Sequence, residues 1–313
     1  MDYGIEQLEK LEAFSDLDRH LARYLSSVDR YYSPLFFLVV MLLSRSMEKG
    51  NVCLYPERVA GRSLSWLAAY DPDNAAAYND IILPDADKIV SCVKKSTAAG
   101  SEGDRLPLIL AGNRLYFHRF MVCEDELASM VGQMCSDMDD LPAHDRLAAL
   151  FRKYFPPAPG EPDMQAAAAA VSLRRSLSVI SGGPGTGKTS TVVKIISLVT
   201  EARRLSGFET KVALTAPTGK AAAKLAASAR AGLDEALNMN AESFTIHRLL
   251  GYSWNYGFRH NRDNPVDFDV VVADECSMAD LQLMHSFLSA LKPGSRLILL
   301  GDRDHVKING IIP

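Results

Sequence analysis

A glycine-rich turn between two apolar runs constrains the fold of this chain more than any other feature. Residues 178–196, "SVISGGPGTGKTSTVVKII", carry a β-branched run before the turn and a helical pattern after it. Within them, residues 182–189 fit G-x-x-x-x-G-K-[ST], the P-loop pattern, in the strand-to-helix context that it requires. Such a loop surrounds phosphate with backbone N–H groups, while Lys188 meets the β- and γ-phosphate oxygens and the Thr189 hydroxyl holds Mg²⁺. The turn therefore predicts a nucleotide site; the alternative is a glycine turn before an ordinary helix.

The residues after the glycine turn alternate between strand-like and helical patterns. The runs "LSVIS", "KVALTAP", "FDVVVAD" and "RLILLGD" are short and apolar, and each is followed by polar or glycine residues. Such alternation predicts an α/β fold, with a parallel sheet flanked by crossover helices. In such sheets ligands bind at the carboxyl ends of the strands, which is where the polar motifs fall.

The chain divides into two domains on composition. Residues 1–120 have helical periodicity, interrupted by a strand-like segment at 113–122. The run "LFFLVVMLL" is shorter than the ~20 residues of a membrane span, so it predicts a buried helix that is capped by Ser33, begins with Pro34 and stops at Gly50. Connecting helices and the proline-rich "PPAPGEPD" occupy residues 121–163, and the nucleotide domain occupies residues 164–313.

Composition narrows the class of protein further. The chain has 313 residues, 48% of them hydrophobic and 23% charged, enough to bury a core in each of two domains. Its five cysteines form no CxxC pair, which favours reduced thiols in a cytoplasm over a metal or iron–sulfur cage. The beginning of the sequence has no signal-peptide pattern, and we expect no membrane partner. With a formal net charge of −4, any nucleic-acid binding must use local basic surface.

Two strand ends carry acidic or polar residues suited to nucleotide chemistry. In "VVVADECSM", Asp274 is the expected partner of Thr189 in holding the metal, and Glu275 is the expected general base. Without the P-loop, a solvated acidic pair would be the better interpretation. In "LLGDRD", we expect Gly301 and Asp302 to sense the γ-phosphate, although a plain β-turn has the same pattern.

A third strand end offers a site for a second anion. The segment "TAPTGKAAAKLA" ends a strand at Pro217, Thr218, Gly219 and Lys220 and then begins a helix. Because the P-loop already accounts for one phosphate site, the natural second anion is a nucleic-acid backbone. The alternative is a charged helix start without a ligand.

Taken together, these motifs resemble the superfamily 1 helicases and, more narrowly, the RecD family, the alpha subunit of exodeoxyribonuclease V. "SVISGGPGTGKT", "TAPTGKAAAKL", "TIHRLLGY", "ADECSM" and "LLGDRD" are similar to the family's successive helicase motifs, and "PLILAGNRLYFHRF" is similar to its N-terminal region. The resemblance implies a RecA-like P-loop NTPase motor domain preceded by a mainly helical N-terminal domain that docks onto partner subunits.

The resemblance also implies residue roles and an activity. Gln165 occupies the place of an adenine-reading glutamine, and Thr245 and His247 join the expected DNA contacts; a helix-capping or core role for His247 stays open. The implied activity uses ATP and Mg²⁺ to move 5′ to 3′ on single-stranded DNA, beside larger beta and gamma subunits, in cytoplasmic double-strand-break repair and recombination. The implied nucleotide site comprises Gln165, Gly182, Gly183, Pro184, Gly185, Thr186, Gly187, Lys188, Thr189 and Ser190.

The end of the sequence departs from the family pattern. His305 stands where the family has a glutamine, and "VKINGIIP" does not resemble the next segment of the family's sequences. We therefore expect a truncated form that binds ATP but hydrolyses it poorly, because the transition state lacks the arginine of a second motor domain. Without that domain we also expect it to unwind DNA poorly. A non-catalytic docking fragment of the complex and a stand-alone superfamily 1 helicase relative are the alternatives.

A mixed aromatic and basic segment comes after the "TIHRLLGY" motif. The segment combines the aromatic residues Trp254, Tyr256 and Phe258 with the basic residues Arg259, His260 and Arg262, a combination able to stack bases and to neutralise phosphates. An ordinary surface loop would have the same composition.

Overall fold

The computed structural model describes residues 3–30, 33–157, 163–183, 185–232 and 241–301. Pro184 and Asp302, named above for the nucleotide site, lie outside these residues, as do His305 and residues 158–162 of the proline-rich linker. The chain forms two compact units that divide between Asp125 and Glu126. No helix of the described residues is long and apolar enough to span a bilayer.

The first unit is built mainly from helices. They are α1 (Ile5–Glu9), α2 (Asp16–Val28), α3 (Pro34–Glu48), α4 (Pro56–Val59), α5 (Ala75–Asp80) and α6 (Ala86–Lys95). A small sheet of β1 (Ala99–Gly100), β2 (Leu108–Ala111) and β3 (Arg114–Phe117) joins them in the order β1-β2-β3. The sequence predicted a longer strand-like segment, but the chain turns into α7 (His118–Met134) directly after Phe117.

Helix α3 is the centre of the first unit. All of its residues from Leu35 to Ser46 are buried, as its apolar composition predicted. The Ser33 hydroxyl accepts a hydrogen bond from the Leu35 N–H at 3.2 Å, and Pro34 is the first helical residue. The prediction of a capped, buried helix is confirmed.

The second unit contains an all-parallel five-stranded sheet. After α8 (His144–Tyr154) and α9 (Met164–Arg174), strands and helices alternate: β4 (Leu177–Ser181), α10 (Lys188–Leu205), β5 (Val212–Ala216), α11 (Gly219–Gly232), β6 (Ala241–Thr245), α12 (Ile246–Leu249), β7 (Val270–Ala273), α13 (Leu281–Ser289) and β8 (Arg296–Gly301). The strand order is β4-β8-β7-β5-β6. The four predicted strands and the parallel sheet are confirmed. The sequence did not predict β6, since this edge strand, "AESFT", is polar and only half-buried.

Helices cover both faces of this sheet. Alternate residues of β7 point to opposite faces: Val270 and Val272 pack in one apolar cluster, whereas Val271 and Ala273 pack in another. The first cluster contains residues of α8, α9, α10 and α11, and the second contains residues of α12 and α13 with Met130 of α7 against them. The helices expected to connect the domains therefore contribute, from Glu126 onward, to the core of the second unit.

Candidate nucleotide-binding site

The glycine loop between β4 and α10 adopts a backbone conformation that would be strained in residues other than glycine. Gly185 and Gly187 have φ of +77° and +80°, a region that glycine adopts without steric cost. A Cβ atom on Gly187 would lie 3.3 Å from the Ser190 Oγ and 3.4 Å from the Gln165 Nε2. The loop is thus closed tightly over the start of α10, with Gln165 of α9 beside it.

The Lys188 side chain lies inside this loop. Its ammonium donates hydrogen bonds to the Gly183 carbonyl, at 2.9 Å, and to the Gly182 carbonyl. The Thr186 hydroxyl also donates to the Gly183 carbonyl at 2.9 Å. Because phosphate oxygens would replace the two carbonyls as acceptors, Lys188 is held within reach of a phosphate bound by the loop.

The acidic pair after β7 adopts an unusual backbone conformation. The Asp274 N–H donates to the Thr215 carbonyl at 2.8 Å, and the Glu275 N–H donates to the Asp274 Oδ1 at 2.8 Å. Glu275 has φ of 54°, the one positive φ among the described non-glycine residues. Left-handed backbone outside glycine costs about 1–3 kcal/mol and is concentrated at functional sites.

Cys276 follows the acidic pair and is held in its neutral form. Its thiol donates a hydrogen bond to the Ala273 carbonyl, with an Sγ–O distance of 3.1 Å. Burial, together with the nearby Asp274 carboxylate, raises the pKa of the Cys276 thiol to about 12. A thiol with so high a pKa is a poor nucleophile and a poor metal ligand at neutral pH.

The glycine loop and the acidic pair share one cavity of about 930 Å³. Parallel register explains why: Ser181 pairs with Gly301, and Leu299 pairs with Ala273, so the carboxyl ends of β4, β8 and β7 meet at one edge. The predicted site residues that line the cavity are Gly183, Gly185, Thr186, Gly187, Lys188, Thr189, Ser190, Asp274, Glu275 and Gly301. Gly182 and Gln165 lie beside it, at the loop itself.

The cavity also has a wall that the sequence did not predict. Lys194 of α10 and Lys224 and Ser228 of α11 line it. Only the periodicity of α11 could have indicated this, since Lys224 follows the "TAPTGK" motif by one helical turn and lies on the same helix face as Ser228.

The oxygen ligands in the cavity fit Mg²⁺. The Thr189 hydroxyl and the Asp274 carboxylate line the same cavity, and Mg²⁺ is typically held by one or two protein oxygens together with waters and substrate phosphates. Among the residues that the structure describes, no group of three or more His, Cys, Asp or Glu side chains could by itself hold a metal ion.

The expected DNA-contact residues lie together at the same sheet edge. Register between β5 and β6 pairs Ala216 with Thr245, so residues 217–220 lie next to the start of α12. The Thr218 hydroxyl accepts from the Ala221 N–H at 3.3 Å, and the Thr245 hydroxyl accepts from the Arg248 N–H at 3.2 Å. Both threonines thus cap helices, and Lys220 and His247 are exposed in the first turns of these helices, where a nucleic-acid backbone could approach.

The aromatic segment divides into an inner and an outer half. The His247 ring centroid lies 5.6 Å from that of Tyr252 and 5.8 Å from that of Phe258, so Phe258 belongs to a surface cluster that fixes the loop. Trp254 and Tyr256 instead are 88% and 90% exposed. Of the three aromatic residues proposed for base stacking, only these two present a free ring.

The parallel sheet and this cavity are typical of an α/β protein with a phosphate-binding loop. Family models match residues 10–116 to the N-terminal domain of RecBCD enzyme subunit RecD and residues 165–310 to an AAA domain. The RecBCD enzyme subunit RecD of Mycobacterium tuberculosis is 32% identical over 325 residues, which cover 98% of this chain and 52% of that protein. The chain belongs to the RecD family.

Other relatives agree with this assignment. The RecBCD enzyme subunit RecD of Haemophilus influenzae is 31% identical over 323 residues, covering 96% of this chain and 50% of that protein. The ATP-dependent RecD2 DNA helicase of Deinococcus radiodurans is 43% identical over 130 residues, covering 42% of this chain and 16% of that protein. The chain thus spans about half the length of the curated RecD subunits it matches.

Proposed function

We propose that this chain is an ATP-dependent DNA helicase subunit whose second unit is a RecA-like P-loop motor domain. The observation that carries the proposal is the single cavity lined by Lys188, Thr189, Asp274, Glu275 and Gly301. A phosphate-binding loop, a metal-binding acid and a base at adjoining strand ends are the parts that nucleoside triphosphate hydrolysis requires.

Each side chain has a role that its position supports. Lys188 would bind the β- and γ-phosphate oxygens. Thr189 and Asp274 would hold Mg²⁺, which would supply positive charge to the phosphates. Glu275 orients the attacking water and accepts its proton. Gln165, at Gly187, reads the adenine, and Gly301, with Asp302 after it, senses the γ-phosphate.

Single-stranded DNA is the proposed nucleic-acid ligand. Pro217, Thr218, Gly219 and Lys220 would contact its backbone from the start of α11, and Thr245 and His247 would do so from the start of α12. We propose 5′ to 3′ movement. Since the chain spans about half the length of its RecD relatives, we expect these 313 residues alone to bind ATP and to unwind DNA poorly.

A docking role for the first unit is the second candidate. Three apolar residues of α2, Leu17, Tyr24 and Val28, are more than half exposed. They are spaced seven and then four residues apart, so they form one apolar stripe along the helix. We propose that this stripe binds the larger subunits of a cytoplasmic RecBCD-type complex acting in double-strand-break repair. Capture of purified beta and gamma subunits by the chain, lost in a Leu17→Ser/Tyr24→Ser variant, tests this role.

The test of the main proposal is ATP turnover by the purified chain. Phosphate release is measured with and without single-stranded DNA, and Mg²⁺-dependent nucleotide binding is measured in parallel. Lys188→Ala is expected to abolish binding and any turnover, because the phosphate loses its cation. Nucleotide binding that is the same in the Lys188→Ala variant would contradict the proposal.

A further inference from the structure

We propose that Lys224 of α11 is a second cation for the terminal phosphate of the bound nucleotide. The inference rests on the proposed function and assigns a phosphate contact outside the glycine loop. It begins from the cavity itself, where three lysines, Lys188, Lys194 and Lys224, face the two acidic residues Asp274 and Glu275.

The packing of α11 fixes the position of Lys224. Ala222, Leu225 and Ala229 of α11 are buried in the unit, so the opposite turn positions of the helix are free to face the cavity. Gly232 ends the helix so close to α10 that an added Cβ would lie 2.7 Å from the Val193 Cγ1. This close approach holds the row formed by Lys224 and Ser228 against the cavity.

Lys224 is available for a ligand, whereas the other two lysines are engaged. Lys188 donates to two loop carbonyls, and the Lys194 ammonium lies 5.6 Å from the ring centroid of Phe155. Among the described residues, none forms a hydrogen bond or an ion pair with Lys224. Lys194 also lies six residues after Lys188, about 9 Å along the axis of α10 and away from the loop.

The charge of the expected ligand calls for such a cation. A Mg²⁺-bound triphosphate remains negative, and in phosphoryl transfer charge is spread over the equatorial oxygens of the γ-phosphate. A cation near those oxygens in a partly enclosed site stabilises that charge more strongly than it would in water. Lysine suits the task because its flexible stem lets the ammonium follow a moving phosphate.

Lys224 also lies on the helix that is proposed to contact both the nucleotide and DNA. It lies one helical turn after Lys220, at the end of α11 proposed to contact DNA. A backbone phosphate bound at the start of α11 and a γ-phosphate in the cavity would therefore act on the same rigid helix.

The experiment compares nucleotides that differ only in the terminal phosphate group. Binding of Mg·ADP and of the non-hydrolysable Mg·AMP-PNP to the full chain is measured by calorimetry for the wild type and for Lys224→Ala, Lys224→Arg, Lys194→Ala and Lys188→Ala. We expect Lys224→Ala to weaken AMP-PNP binding about tenfold and to change ADP binding less than about twofold. Lys224→Arg is expected to retain most of the AMP-PNP affinity, and Lys194→Ala to alter neither nucleotide selectively.

The outcomes separate this inference from the proposed function. Equal losses for ADP and AMP-PNP in Lys224→Ala, or the same selective loss in Lys194→Ala, would overturn the role of Lys224 while leaving the nucleotide site intact. Absence of Lys188-dependent binding would overturn both proposals. Thermal unfolding, followed by circular dichroism, identifies a variant that loses affinity because it misfolds. If Lys224→Ala misfolds, the AMP-PNP affinity of Lys224→Arg decides whether Lys224 contacts the terminal phosphate.

Discussion

The guanidinium of Arg296 forms a bidentate ion pair with the carboxylate of Asp140. Its Nη1 and Nη2 lie 2.7 Å and 2.5 Å from the two carboxylate oxygens, and the Arg296 side chain is 1% exposed. Asp140 also pairs with Arg203 at the end of α10. Arg296 is the first residue of β8, and Gly301, at the other end of that strand, lines the cavity beside the glycine loop. The pair therefore fixes β8 at the sheet edge opposite the site.

Removing the carboxylate should destabilise the second unit strongly. Asp140→Ala leaves Arg296 buried without a counter-charge, and breaking a buried pair in this way costs about 3–5 kcal/mol. The free energy of unfolding in urea measures the loss. Asp139→Ala, at the exposed neighbouring position, is the matched control and should change stability by less than about 0.5 kcal/mol. A similar small change in Asp140→Ala would contradict a structural role for the pair.

The Asp140 carboxylate should also make the free energy of unfolding depend on pH in the acidic range. Burial opposes ionisation of Asp140, but Arg296 and Arg203 hold its pKa below the ordinary value. A carboxyl group whose pKa is lower in the folded state than in the unfolded state stabilises the fold at pH values above its unfolded-state pKa, about 3.9 for Asp. This stability is lost as the pH falls through the folded-state pKa. The wild type should therefore lose more stability than Asp140→Asn between about pH 5 and pH 2. Parallel pH profiles in the two proteins would count against this explanation.

The site residues that the sequence predicts are those positioned by a strand or helix end close to them in the sequence. The glycine loop and the acids after β7 each lie within a few residues of the strand or helix end that positions them. Arg296 and Asp140 are 156 residues apart, and no pattern in either segment indicates the pair. Lys224 lines the cavity because α11 packs beside α10, where Gly232 lies close to Val193. Such contacts depend on packing between elements, which periodicity does not encode.

A Glu275→Gln variant should affect ATP turnover without affecting nucleotide binding. Glu275→Gln keeps the side-chain shape and imposes a similar backbone preference, so the turn after β7 should keep its form. Nucleotide binding should stay within about twofold of the wild type, whereas turnover should fall about 10²- to 10⁴-fold because the water loses its base. Calorimetry and phosphate release measure the two quantities. Unchanged turnover would remove Glu275 from the mechanism.

The two lysines that flank β5 allow a test of the proposed DNA contact at the start of α11. Lys220 follows the carboxyl end of β5 and is exposed, whereas Lys211 precedes its amino end and pairs there with Asp267. If Lys220 contacts a backbone phosphate, Lys220→Ala should weaken binding of labelled oligo-dT and reduce the dependence of log affinity on log salt by roughly 1. Fluorescence anisotropy at several salt concentrations measures both effects. Lys211→Ala removes the same charge at the opposite edge and should leave the salt dependence unchanged. An equal change in both variants would indicate attraction by overall charge rather than a contact at the start of α11.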